Sequence, residues 1–179
     1  MSKAGIYILL GLLKEAYPRF YADKPDDEME AAAAIWREML SDTDDETAMI
    51  ALKRLIATCK FPPTIAEMRE SVSAVKYPAF MDASEAWGEV NFAIREYGYN
   101  RQDKAFSLMC EPVRLTVQHM GWRELCLSEN DMADRAHFIK LYDAVINGIK
   151  EERQLPVDLN KNIAALRQKV IKALAGTEK

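Results

Sequence analysis

Cys59, Cys110, Cys126, His119 and His137 are the soft ligands and ready nucleophile–base candidates of this 179-residue sequence. A zinc site needs such groups at short, repeated spacings, and a nucleophile needs a base beside it. Neither pattern appears. The cysteines are odd in number and far apart in helical patterns, and neither histidine is paired with a cysteine. A disulfide framework is equally unsupported, so a reducing cytoplasm is the expected compartment. No GxxxxGK[ST] loop occurs within these residues, which argues against an ATPase. The expectation is a protein with no catalytic residue, no cofactor and no metal, not an enzyme.

The chemistry that remains is recognition. From Asn160 to Lys179 there are five Lys or Arg against one acid, whereas Asp23 to Glu46 holds ten acids against two bases; the whole chain is at −4. An acidic body with a basic tail follows. In that tail Leu159, Ile163, Leu166, Val170, Ile171 and Leu174 recur at three- and four-residue steps, with Lys161, Arg167, Lys169 and Lys172 beside them. A basic amphipathic helix of this kind can dock on its own domain, dimerise, lie on a membrane or enter a partner's groove. The acidic stretch, with Asp26, Asp27, Glu28 and Glu30, is explained by helix starts, although it could also attract a basic partner.

The elements that would carry these residues are helical. Ala, Leu, Glu, Met, Lys and Arg dominate, Gly and Pro number seven each, and β-branched runs are scarce, so the fold class is all-α. The apolar opening GIYILLGLL is too short for a membrane span and lacks a signal-peptide cleavage site, which makes it a first core helix over Lys3 to about Ala16. A second helix is expected from an Asp26 cap with Met29, Ala33, Trp36 and Leu40, and a third from Asp44 or Asp45 with Ala48, Leu52, Leu55, Ile56 and Cys59.

The sharpest local signal is FPPTIAEMRE at Phe61 to Glu70. Pro62 and Pro63 stop one helix, and Thr64 with Glu67 has the spacing of a capping box that starts the next near Ile65. Phe61 is expected to be buried in that corner. Tyr17–Pro18–x–Phe20 and Tyr77–Pro78–x–Phe80 echo each other as helix-terminating turns, not as a duplicated domain.

A boundary is expected at Lys76 to Asp82, dividing a helical domain over 1–75 from a second helical domain over 76–153, with a basic tail helix over 154–179 after Pro156. In the second region Asp82 and Glu85 open a helix carrying Trp87, Val90, Ile94 and Tyr97. A polar loop from Gly98 to Lys104 follows, then a helix with Pro112 in its first turn, a short piece over Trp122 to Leu127, and a long helix with Phe138, Leu141, Val145 and Ile149 as its core stripe. Trp36 and Trp87 are core anchors by position. Trp122, directly after Gly121, is instead placed among the contact candidates, because an exposed Trp is a favourable interface anchor.

LLKEAYPRF at Leu12 to Phe20, WREML at Trp36 to Leu40 and ALKRLIATCKFPPTIAEMRE at Ala51 to Glu70, in that order, resemble the helicase loader and inhibitor proteins of tailed phages of Gram-positive bacteria. The resemblance covers residues 1–75. The later run EPVRLTVQHMGWRELCLSENDMADRAHFIKLYDAVI looks like segments of longer phage replication proteins of this type. In the shorter members a helical N-terminal domain precedes a flexible region; here a patterned helical region takes its place. The resemblance implies binding to the hexameric replicative helicase, restraint of its activity and delivery to the origin through an origin-binding initiator, in the cytoplasm of the bacterial host, with DNA contact weak or indirect and no membrane. The contact residues expected on the tail are Leu159, Ile163, Leu166, Lys169, Val170, Lys172 and Leu174, with Trp122 in addition. A DNA-binding accessory protein, or a non-catalytic module that inhibits a host protein, are the alternatives. The tail has no aromatic on which bases could stack, which favours the protein partner.

Overall fold

The computed structural model describes residues 1–22 and 25–176, and among these it contains eleven α-helices and no strand. Two compact units form. Unit 1 comprises 1–78 and 151–179, and unit 2 comprises 79–150.

Unit 1 is built from α1 (Lys3–Ala16), α2 (Pro18–Tyr21), α3 (Asp26–Met39), α4 (Asp45–Thr58) and α5 (Ile65–Lys76). Helix α1 buries Ile6, Leu9, Leu10 and Leu13, the steps of one helical face, against Leu40, Leu52, Met68 and Val72. Ser2 caps α1 by accepting from the Gly5 N–H at 2.9 Å and donates its hydroxyl to Asp45 at 2.6 Å. A Cβ on Gly5 would stand only 2.5 Å from that Asp45 carboxylate, so a larger residue there would displace Asp45 from its bond to Ser2. Tyr17 is buried and donates its hydroxyl to the Cys59 carbonyl at 3.1 Å, tying the end of α1 to the end of α4.

The FPPTIAE corner behaves as its backbone chemistry dictates. Glu67 N–H donates to the Thr64 hydroxyl at 3.2 Å, and Glu67 Oε2 accepts from the Thr64 N–H at 2.7 Å, a complete capping box. The same bonds to Thr64 hold the Glu67 carboxyl below its usual value. The side chain of Phe61 differs from expectation. It is 67% exposed and meets Phe20 edge-on at 5.8 Å, because the two prolines fix the path of the chain but not the direction of the ring before them. Asp26 is the first helical residue of α3, preceded by Pro25 at the cap position. Trp36 is partly buried against the unit 1 core. The side chain of Asp26 and residues 177–179 lie outside the described residues.

Unit 2 holds α6 (Ala83–Tyr97), a single 3₁₀ turn (Tyr99–Arg101), α7 (Gln102–Leu108), α8 (Glu111–Met120), α9 (Trp122–Leu127) and most of α10 (Asp131–Gln154). The segment expected as a polar loop, Gly98 to Lys104, is therefore mostly helical; only Gly98, at φ +56°, breaks the run, and its missing Cβ permits that turn. The α10 stripe is rotated by one position from expectation. Phe138, Tyr142 and Ile146 are buried, while Leu141, Val145 and Ile149 are half-buried flanks. Tyr142 takes a core position because its hydroxyl reaches the Met81 carbonyl at 3.0 Å, and burial pushes its phenol up to about 12. Phe138 stacks on Tyr142 at 5.5 Å and meets Trp87 at 5.2 Å.

Two substitutions test the proline corner. Thr64→Ala removes the cap acceptor and should cost about 1 kcal/mol of unfolding free energy. Phe61→Ala should cost less than about 1 kcal/mol, since its ring is mostly in water, whereas a buried Phe would lose about 3–5 kcal/mol. Urea titration of both variants decides it, and a large loss for Phe61→Ala would contradict the exposed ring.

Candidate protein-binding surface

The tail candidates lie on α11 (Val157–Gly176), and its position is set by one buried charge pair in unit 1. Arg69 sits on the core face of α5 at 4% exposure. A guanidinium there needs acceptors for its donors, and it finds them in three stretches of chain. Nη1 and Nη2 clasp the Asp42 carboxylate, with Nη2 at 3.2 Å; Nη1 also reaches the Met39 carbonyl at 3.3 Å, and Nε donates to the Gln154 carbonyl at the end of α10. Asp42 then accepts from the Val157 N–H at 3.2 Å, the first residue of α11. Burial alone would raise the Asp42 pKa. The Arg69 hydrogen bonds and charge, with the Val157 N–H, outweigh it and hold the carboxyl below its ordinary value.

Neighbouring contacts fix the same junction. Arg153 lies over the Tyr77 ring at 4.3 Å, Asn160 donates its side-chain amide to the Glu152 carbonyl at 2.7 Å, and Pro156 is buried. Beyond these first turns α11 is exposed. Leu166 is 61% and Val170 58% exposed, Leu159, Ile171 and Leu174 are also exposed, and Ile163 is half-buried. Lys169 and Lys172 are exposed beside the stripe. Val157 and Ile171 widen the apolar face beyond the contact residues expected from sequence.

Trp122 does not belong to this surface. It is 3% exposed, meets Phe106 at 5.8 Å and donates its indole N–H to the Gly98 carbonyl at 3.3 Å. The expectation of an exposed anchor is corrected: the junction after Gly121 turns the ring inward, where the Gly98 carbonyl accepts its N–H. The residues that sequence reasoning missed are Asp42 and Arg69. Their signal was a charged side chain at a core step of α5, four residues after Ile65 and three before Val72.

Magnitudes decide what this surface can do. Burying a large aliphatic side chain contributes about 1.5–3 kcal/mol, while an exposed ion pair adds about 0–1 kcal/mol. Affinity would come from the leucines, isoleucines and valines, and the lysines would steer the encounter. Among the described residues no group of three His, Cys, Asp or Glu could hold a metal, and no helix is long and apolar enough to cross a membrane.

Among the described residues the fold is all-helical and leaves the basic amphipathic helix α11 largely exposed. Residues 1–69 match the N-terminal domain of the gp39P family of phage helicase loaders and inhibitors, a non-catalytic kind of protein. The matched stretch ends at Arg69 and contains Asp42, so the pair that holds the start of α11 lies within the matched residues while α11 lies outside them. No curated protein and no solved structure matches the chain.

The anchoring pair has a pH signature. With a folded pKa below the unfolded value of about 3.9, Asp42 stabilises the fold fully at neutral pH and loses that contribution as pH falls through its folded pKa. Asp42→Asn should therefore lower the melting temperature at pH 7, with the gap to the wild type closing as pH falls below the ordinary carboxylate range, about 4. Parallel melting curves through that fall in pH would contradict the linkage.

Proposed function

We propose that this protein binds the hexameric replicative helicase during phage DNA replication, restrains it, and delivers it to the origin with an origin-binding initiator. The observation that carries the reading is the match of residues 1–69 to the N-terminal domain of the loader and inhibitor family. Helix α11 supplies the contact surface in this reading, with Leu159, Ile163, Leu166, Val170 and Leu174 as anchors and Lys169 and Lys172 as steering charges. The setting is the cytoplasm of the bacterial host.

No nucleotide-binding loop lies within these residues, so restraint would act through differential affinity for helicase states. A binder that prefers one ring conformation holds the ring there, and release follows when ATP or the initiator favours the other. The nucleotide chemistry stays with the helicase.

The test is the mass of the complex formed with the host replicative helicase, with and without ATP. A defined complex in at least one nucleotide state is expected, and Leu166→Asp with Val170→Asp should weaken it at least ~10-fold while helicity is unchanged. Absence of association in both states contradicts the helicase reading; unchanged affinity of the double variant contradicts α11 as its anchor.

A further inference from the structure

Unit 2 carries a surface that the helicase reading does not use. Gly88, Glu89, Phe92 and Ala93 of α6, with Leu108 and Met109 at the end of α7, line an open groove of about 380 Å³. Phe92 is 61% exposed and Leu108 60%, two large apolar side chains facing water at one place. Nothing lies within 4 Å of where a Cβ on Gly88 would stand, so another chain can approach the α6 backbone there.

Glu89 makes the groove selective. Its Oε2 is shut off from solvent and accepts no hydrogen bond, although the side chain as a whole is only half-buried. Turned toward the groove, that oxygen would gain a partner from an incoming donor, above all a cationic one. Glu85 and Glu96 are exposed and fall on the same helical face as Glu89 and Phe92, at steps of four, three and four. The occupant must therefore offer bulky apolar side chains at helical spacing with Lys or Arg beside them.

This chain contains such a segment in α11, whose exposed stripe is flanked by Lys161, Arg167, Lys169 and Lys172 against the single acid Asp158. We propose that α11 of a second copy docks in the α6–α7 groove, with Leu166 and Val170 against Phe92 and Leu108, and Lys169 on Glu89. Pairing of two α11 helices would bring like charges together, whereas the groove offers the opposite sign. Self-association then covers the stripe until a partner competes for it. The inference rests on the groove and on α11, not on the helicase reading, and its test contains no helicase.

Sedimentation velocity on the full chain from about 5 to 300 µM reads the result, a range suited to a small interface. The mass should rise with concentration, less so at about 0.5 M salt. Phe92→Asp alone, and Leu166→Asp with Val170→Asp alone, change exposed positions and should each stay monomeric with unchanged circular dichroism. Their equimolar mixture should associate one to one, because the intact groove of one meets the intact α11 of the other. Glu89→Gln, nearly isosteric, should weaken wild-type association at least ~5-fold and reduce its salt sensitivity. A wild type that remains monomeric throughout, a Phe92→Asp variant that associates as the wild type does, or a mixture that stays monomeric would each overturn the proposal.

Discussion

A guanidinium buried on the core face of α5 imposes the constraint on which unit 1 depends. Arg69 cannot lie there without acceptors, and its partners stand 27, 30 and 85 residues away in sequence, at Asp42, Met39 and Gln154. Satisfying it therefore fixes the α3–α4 connection, α5 and the end of α10 together. Compared with an apolar replacement such a pair adds little net stability, but breaking it strands a buried charge, so its value is geometric. Asp42 passes the constraint on by accepting the first N–H of α11.

That anchorage bears on how α11 can act as a binding element. An isolated helix is costly to start in water, because its first turn fixes several residues for one hydrogen bond. Here the first turn is held by Asp42, by the Asn160–Glu152 bond and by buried Pro156. A helix ordered before it meets its partner avoids part of the entropy loss of binding. Leu166, Val170 and Ile171 of its apolar stripe are exposed, with Lys169 and Lys172 beside them.

Much of the fold is legible in the sequence because its signals are local. The Thr64–Glu67 box needs only three residues of spacing and a preceding breaker, and both of its bonds form. The stripe of α1 is a simple periodicity and places the helix at Lys3–Ala16. What is not legible depends on partners distant in sequence. Phe61 is large and apolar, which argues for burial, but the ring direction depends on packing that the proline corner does not specify. Leu141 outranks Tyr142 as a core residue on hydrophobicity, because the Tyr142 hydroxyl needs an acceptor and only the fold supplies the Met81 carbonyl. Trp122 moves from surface to core for the same reason. Of the Asp42–Arg69 pair only half is legible: Arg69 falls on a core step of α5, but nothing local points to its partner 27 residues away. On the candidate surface the residues of α11 are readable from their spacing, while the way its start is held emerges only from the structure.

Helix α11, pinned at Val157, is the face we propose for the helicase contact. Hydrogen–deuterium exchange on dilute full-length protein, alone and with the helicase hexamer, measures this directly. Exchange over residues 159–174 should slow by at least ~10-fold on complex formation. Protection that appears elsewhere in a demonstrably bound complex, with 159–174 unchanged, would contradict the account.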